Sequence, residues 1–249
     1  MRPRIIPVLS LSNGGLVKTT KFKNPKYVGD PTNAIRIFND KEVDELIVVD
    51  ITASKNGSEP DFEVIRLFAE ECFMPLTYGG GIRTLSQATR IFDLGIEKVS
   101  LQTAALDDLS LISALARKYG QQSVVLSVDI KRDWRRKPWV YCARTRKLLT
   151  ANLSEYIQAR IDAGAGEILL NSVDHDGVMD GYDLDLIKSV ASSVAVPLIA
   201  LGGAGSAEHL KNALRVGASA AAAGALFVFK GPHRAVLINY PKEIFFELQ

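Results

Sequence analysis

The residues of this chain that could do chemistry fall at the two ends of short apolar runs. Asp50, Asp129, Asp174 and Asp176 follow runs rich in Val, Ile and Leu. A carboxylate at the end of a buried strand is partly desolvated, so its proton affinity can be tuned for acid or base work. Asp129, in Ser127-Val128-Asp129-Ile130-Lys131, is the strongest single candidate; its structural alternative is a cap or an ion pair with a nearby lysine. Gly79-Gly80-Gly81 and Gly202-Gly203-Ala204-Gly205 each separate an apolar run from a helical pattern, and Ala223-Gly224-Ala225 ends the last run. Such loops leave backbone N–H groups facing a phosphate, or serve only as tight turns. At the opposite ends stand Arg4, Glu45, Lys98 and Glu167, at or just before the starts of four runs. Four charges of alternating sign there form either an ion-pair plug or a gate for something small. Asp174-His175-Asp176 does not make a metal site, because adjacent side chains diverge and no further His lies nearby; neither metal nor cofactor is expected.

The elements that must position these residues are eight candidate strands: Ile5 to Leu9, Leu46 to Ile51, Leu76 to Tyr78, Lys98 to Leu101, Val124 to Val128, Glu167 to Leu170, Leu198 to Leu201 and Ala220 to Ala223. They are near-continuously apolar, as a parallel sheet covered on both faces requires. Helical patterns separate most of them, at 61–73, 85–94, 107–119, 153–163, 184–191 and 207–216. About eight alternations of strand and helix favour an α/β fold of the closed (β/α)8 TIM-barrel kind, whose strand ends form the catalytic face and strand starts the stability face. A fixed shift of 122 residues pairs Glu45 with Glu167, Pro75 with Pro197, Leu76 with Leu198, Gly80 with Gly202, Gly81 with Gly203 and Gly95 with Gly217. The expectation is one domain over residues 1–249, built from duplicated half-barrels at about 1–120 and 121–249.

With 249 residues, 47% of them hydrophobic, and a net charge of +2, the chain has enough mass for such a core. Near-neutrality gives no reason to expect nucleic acid or a membrane surface as partner. The uncharged stretch 189–207 contains Pro197 and three glycines, so it reads as helix end, strand and Gly loop rather than a membrane span. Cys72 and Cys142 are the only cysteines, which excludes a disulfide framework. With an N-terminal apolar run too short for a signal core, a cytoplasmic location is expected. Neutrality is an average over unlike regions: residues 131–147 hold eight basic residues and one acid, Asp133, with Trp134, Trp139 and Tyr141 interleaved, which leaves the remainder at −5. An inserted basic hairpin is expected at about 132–148, either a solvated loop or a positive wall for an anionic ligand. The segment from Ser12 to Asp30, carrying Lys18, reads as a long lid loop.

These residues together resemble a known family, the cyclase subunit of imidazole glycerol phosphate synthase. The similarity runs through Arg4-Ile5-Ile6-Pro7, Gly14 to Lys18, Asp44-Glu45-Leu46 to Ser54, Tyr78 to Ile82, Lys98-Val99-Ser100, Gly164 to Leu170, Asp176-Gly177, Gly181-Tyr182-Asp183 and Gly202 to Gly205. The resemblance implies a lyase- or synthase-type subunit with two phosphate sites. Gly80, Gly81, Gln102 and Thr103 would serve one, and Asp176, Gly177, Gly202, Gly203, Gly224 and Ala225 the other. It also implies a glutaminase docked on the strand-start face, with ammonia passing a gate formed by Arg4, Glu45, Lys98 and Glu167.

The departures carry as much weight as the matches. Asp129 matches one of the family's two catalytic aspartates, but the other position is Ser10, whose hydroxyl is not appreciably ionised near neutral pH. Gln102 replaces an asparagine beside a phosphate, and Val178 replaces a threonine. This altered pattern is similar to a paralogous branch associated with surface-polysaccharide (O-antigen) synthesis. There a barrel, a glutaminase and a sugar amidotransferase are thought to form an acetamidino group on a nucleotide-activated sugar. The leading expectation is therefore an ammonia-conducting barrel whose ligand is phosphorylated or a nucleotide-sugar. The alternatives are a working cyclase of histidine biosynthesis and a non-catalytic activator of the glutaminase.

Overall fold

In a computed structural model the chain is described over residues 3–240, so positions 1–2 and 241–249 of the expected single barrel lie outside the described residues. Eight parallel strands form the barrel: β1 (Arg4–Ser12), β2 (Leu46–Asp50), β3 (Leu76–Gly79), β4 (Lys98–Leu101), β5 (Val124–Arg132), β6 (Glu167–Ser172), β7 (Leu198–Leu201) and β8 (Ala220–Ala223). Each pairs with the next, and β8 pairs with β1 from Arg4 opposite Ala220 to Pro7 opposite Ala223, so no barrel edge is left open. Closure satisfies every edge N–H and C=O that an open sheet would expose. The chain is a (β/α)8 TIM barrel.

Two apolar cores flank this sheet. Inside the barrel, Ile6, Val8, Ile47, Val125, Leu169 and Ile199 pack with alanines of β8. Outside, a larger core fills the space between strands and helices, including Ile5, Leu46, Val48, Val99, Leu126 and Leu170. Alternate residues of one strand thus serve opposite cores, as strand pleating demands. That is why the runs read as continuously apolar.

The helices begin where the chain supplies caps. Asp61, Asn152, Asp183 and Ser206 each accept a backbone N–H three residues on, and Thr84 with Gln87 forms a full capping box. Helix Pro31–Asp40 was not among the expected patterns, although Asp30 as cap and Pro31 in the first turn are its start signal. The segment expected as an irregular lid loop is instead a β-ribbon: Gly15–Thr20 runs antiparallel to β1 and to Lys23–Gly29. Its alternating side chains continue the sheet, and its turn is made by Lys21 and Phe22 at φ 53° and 62°. Beyond β5, Pro138–Cys142 pairs antiparallel with Ile130 to Arg132 and then with Lys147–Leu148. Among the described residues, no helix is long and apolar enough to cross a membrane.

The 122-residue shift superimposes β3 on β7, β4 on β8, and helix Leu85–Asp93 on helix Ala207–Arg215, residue for residue. In β1, Val8 and Ser10 pair with Ile47 and Val49; in β5, Ser127 and Asp129 pair with Leu169 and Asn171. Since Val49 and Asn171 are themselves 122 apart, this register makes Ser10 and Asp129 equivalent positions. Gly80 shows why its loop is glycine: at φ 114°, an added Cβ would lie 2.4 Å from the carbonyl oxygen of Asp50. Its counterpart Gly202, at φ 95°, would meet the carbonyl of Ser172 at 2.6 Å. Gly80→Ala is therefore expected to destabilise the barrel by about 2 kcal/mol or more in urea unfolding, and unchanged stability would contradict this tight packing.

Candidate functional site at the barrel mouth

The floor of the barrel is set by four charges. Glu45 and Glu167 are only 2% and 4% exposed. Arg4 donates from Nη1 to Glu45 Oε2 at 2.6 Å and from Nη2 to Glu167 Oε1. Lys98 Nζ donates to Glu45 Oε1 at 3.0 Å and to Glu167 Oε2 at 2.8 Å. Each cation therefore bridges both carboxylates, and each carboxylate holds both cations, so the four residues close a ring. Burial works against the Arg4 charge, yet the hydrogen bonds and attraction to Glu167 and Glu45 outweigh it and raise its pKa. Above this ring lie Ile6, Ile47, Val125, Ile199 and Ala220, an apolar storey of the inner core.

The strand ends open into a cavity at the barrel mouth. Ser10, Lys18, Gly80, Gly81, Gln102, Thr103, Asp129 and Asp176 line it. Asp129 is 7% exposed, and its one hydrogen-bond partner with a described atom is Asn171, whose Nδ2 donates at 3.2 Å. Burial pushes the Asp129 carboxyl up to about 7; the Asn171 bond opposes this, Asp176 adds to it and Lys55 offsets it. A group poised there can hold or release a proton near neutral pH.

The other strand-end carboxylates have hydrogen-bond partners in the loops around them, and Asp50 and Asp176 also line the cavity. Asp50 Oδ1 accepts from Thr52 N, Thr52 Oγ1 and Ala53 N, and so caps the short helix Ala53–Asn56. Asp174 accepts from the backbone of Arg132. Asp176 takes Lys18 Nζ at 2.7 Å and Thr19 Oγ1 at 3.3 Å, which pins the ribbon over the mouth.

The two Gly loops, equivalent in backbone, differ in access. Gly80, Gly81, Gln102 and Thr103 face the cavity, whereas Gly177, Gly202, Gly203, Gly224 and Ala225 do not line it. Thr19 covers Gly177, and the Lys18 side chain lies over Gly224 at 3.3 Å from where a Cβ would be. The helices beginning at Leu85 and Ala207 are capped by their own Thr84 and Ser206, so these N-termini are partly satisfied from within. Gln102 does more than border a phosphate position, since its Nε2 donates to the carbonyl of Tyr141 and ties β4 to the basic hairpin. That hairpin contributes Ala143 and Arg144 to the cavity wall, while Trp134 at its tip is 84% exposed. Val178 gives its carbonyl to Arg234. Among the described residues no cluster of His, Cys, Asp and Glu could hold a metal ion.

Sequence reading did not single out Ser54, Lys55, Ser127 or Asn171, all of which line the cavity. For Ser127 and Asn171 the signal was present: each lies on the inward face two residues from another inward residue, Asp129 or Leu169.

A closed eightfold barrel with a charged floor and a polar mouth places the chain among (β/α)8-barrel proteins with a candidate site at the strand ends. Residues 4–232 match the family described as "Histidine biosynthesis protein", and the chain belongs to that family. It is 55% identical over 242 residues to a Pseudomonas aeruginosa protein named "Putative imidazole glycerol phosphate synthase subunit hisF2", covering 97% of this chain and 96% of the relative. It is 49% identical over 243 residues to a Leptospira interrogans protein named "Putative imidazole glycerol phosphate synthase subunit HisF", covering 97% and 96%. With the Streptomyces coelicolor protein named "Imidazole glycerol phosphate synthase subunit HisF" the identity is 40% over 226 residues, covering 91% and 90%. The chain is thus a HisF-like subunit, similar to proteins named as numbered HisF paralogues.

Two outcomes test this geometry. Lys98→Met leaves two buried carboxylates sharing one guanidinium, so unfolding should become easier by about 2–4 kcal/mol in a denaturant titration; no change would mean that the ring is not coupled. For Asp129 the sign follows from its raised pKa. The carboxyl ionises near pH 4 in the unfolded chain but near 7 when folded, so it costs stability increasingly as pH rises through this window and nothing below it. Asp129→Asn should therefore gain stability over the parent at pH 8 relative to pH 4, on the order of 3 kcal/mol, and a pH-independent difference would contradict it.

Proposed function

We propose that this chain is the barrel subunit of a glutamine-dependent amidotransferase system, in which a glutaminase docks at the strand-start face and its ammonia passes through the barrel to the mouth. The carrying observation is the complete floor ring combined with Ser10 at the position equivalent to Asp129. A barrel that keeps its gate and lacks one of two carboxylates retains conduction and loses the two-carboxylate cyclase chemistry. The floor must open for passage, and the two cations are the movable members because they are more exposed than the glutamates. Phe73, 88% exposed in the loop that feeds β3, offers an apolar anchor for a partner on that face.

The acceptor in this reading is a phosphorylated or nucleotide-linked sugar that becomes an acetamidino sugar for surface polysaccharide, in concert with a sugar amidotransferase. The basic wall of residues 131–147 suits such an anion. A second reading, a working imidazole glycerol phosphate cyclase, is favoured by the near-neutral pKa of Asp129, which suits a general acid or base. One assay separates the two. Purified chain supplied with ammonium salt and the cyclase's ribonucleotide substrate should show no turnover above background; robust turnover would overturn the conduction reading.

A further inference from the structure

Asn171 is 6% exposed and stands at the mouth end of β6, on the inward face shared with Leu169. Its Nδ2 is used by Asp129, but its Oδ1 is a buried acceptor to which no described residue donates. A buried acceptor without a donor costs about 1–3 kcal/mol, so a site that keeps one is matched to something that brings N–H or O–H groups. Around it the cavity gathers further groups that can accept a hydrogen bond: the Asp129 carboxyl and the hydroxyls of Ser10 and Ser127, which can also donate. The apolar side chains Val8, Val49, Leu169 and Leu201 line the same cavity and give a small molecule no hydrogen bond.

The geometry points to a receiving site for ammonia, formed by Asp129 and Asn171 at the top of the inner core, that holds the nitrogen as ammonium at the barrel mouth. Ammonia arriving neutral takes the carboxyl proton of Asp129: its lone pair forms the fourth N–H bond as the O–H bond breaks, leaving carboxylate and ammonium. The ammonium then donates to the Asp129 carboxylate and to Asn171 Oδ1. Return of the proton to Asp129 releases ammonia to an acceptor, so no other reactant is consumed. Asp129 suits this exchange because burial holds its pKa near neutrality. The charged groups that face it are Asp176, whose negative charge also favours a cation, and Lys55, which opposes one; Lys18 is engaged with Asp176. The source of the ammonia rests on the conduction reading above, whereas the binding site does not.

The test is an NMR titration of the whole ¹⁵N-labelled chain at pH 8, exchanging NaCl for NH4Cl at constant ionic strength and following the Asn171 side-chain amide signals. These should shift saturably with ammonium, and KCl, an ion of similar size without N–H groups, should need at least tenfold higher concentration. Asp129→Asn, which keeps shape and removes the charge, should weaken ammonium binding at least tenfold; Asn171→Ser provides a second variant that lacks the amide oxygen. A linear, non-saturating shift, an equal response to KCl, or undiminished binding in Asp129→Asn would overturn the site. Failure of this titration with the cyclase assay still silent overturns the receiving site alone. Saturable ammonium binding in a chain that also turns over the ribonucleotide overturns the conduction reading and leaves the site standing.

Discussion

Two glutamates buried beneath a barrel cannot stay ionised without partners, and the rest of this structure is arranged around that constraint. Moving a lone carboxylate out of water costs several kcal/mol even after relaxation, so Glu45 and Glu167 hold their places only because Arg4 and Lys98 each reach both of them. The ring ties β1, β4, β6 and the residue before β2 at one level, which fixes how the eight strands are staggered at their starts. The acids obey the internal repeat and the bases do not: Lys98 shifted by 122 is Ala220, which pairs with Arg4 across β8 and β1. Both cations therefore come from the first half, and the second half leaves room for Arg4 with a small residue at the position equivalent to Lys98.

Sealing the floor with charge lets the interior above it be apolar and the mouth be polar. The inner core is built mainly of aliphatic side chains, whereas the mouth gathers Ser10, Ser127, Asp129 and Asn171 within one cavity. There the two halves part. The position equivalent to Asp129 is a serine, and the second Gly loop is covered by the ribbon that the Lys18–Asp176 pair holds down. A symmetric backbone carries an asymmetric site, with the open half at Gly80, Gly81 and Gln102 and the proton-holding group in the other half.

Much of the fold was legible in the chain because its strands are buried on both faces. Most of the eight runs were recognisable from Val, Ile and Leu content, whereas Leu76 to Tyr78 and Ala220 to Ala223 carry little of it. Helix Pro31–Asp40 lies outside the expected helical patterns, although Asp30 and Pro31 are its cap and first turn. The ribbon was missed because Asn13-Gly14 and the lysines of that stretch look like loop composition, yet Lys18 and Thr19 are buried while most of Lys23–Gly29 faces solvent. The floor residues could be named in advance, since charges at strand starts have few places to go, but their bridging pattern could not.

The sequence by itself determined the barrel, the glycine positions and the residue types at the two ends of each strand, because burial and backbone sterics act on local pattern. Only the tertiary structure decided which of those residues work together. Asp50 and Asp129 look alike in the chain; the first is spent on three donors of its own loop, and the second is sealed beside one amide. That difference comes from burial and from neighbours contributed by other strands. Proton affinity depends on exactly those surroundings, and no reading along a single strand contains them.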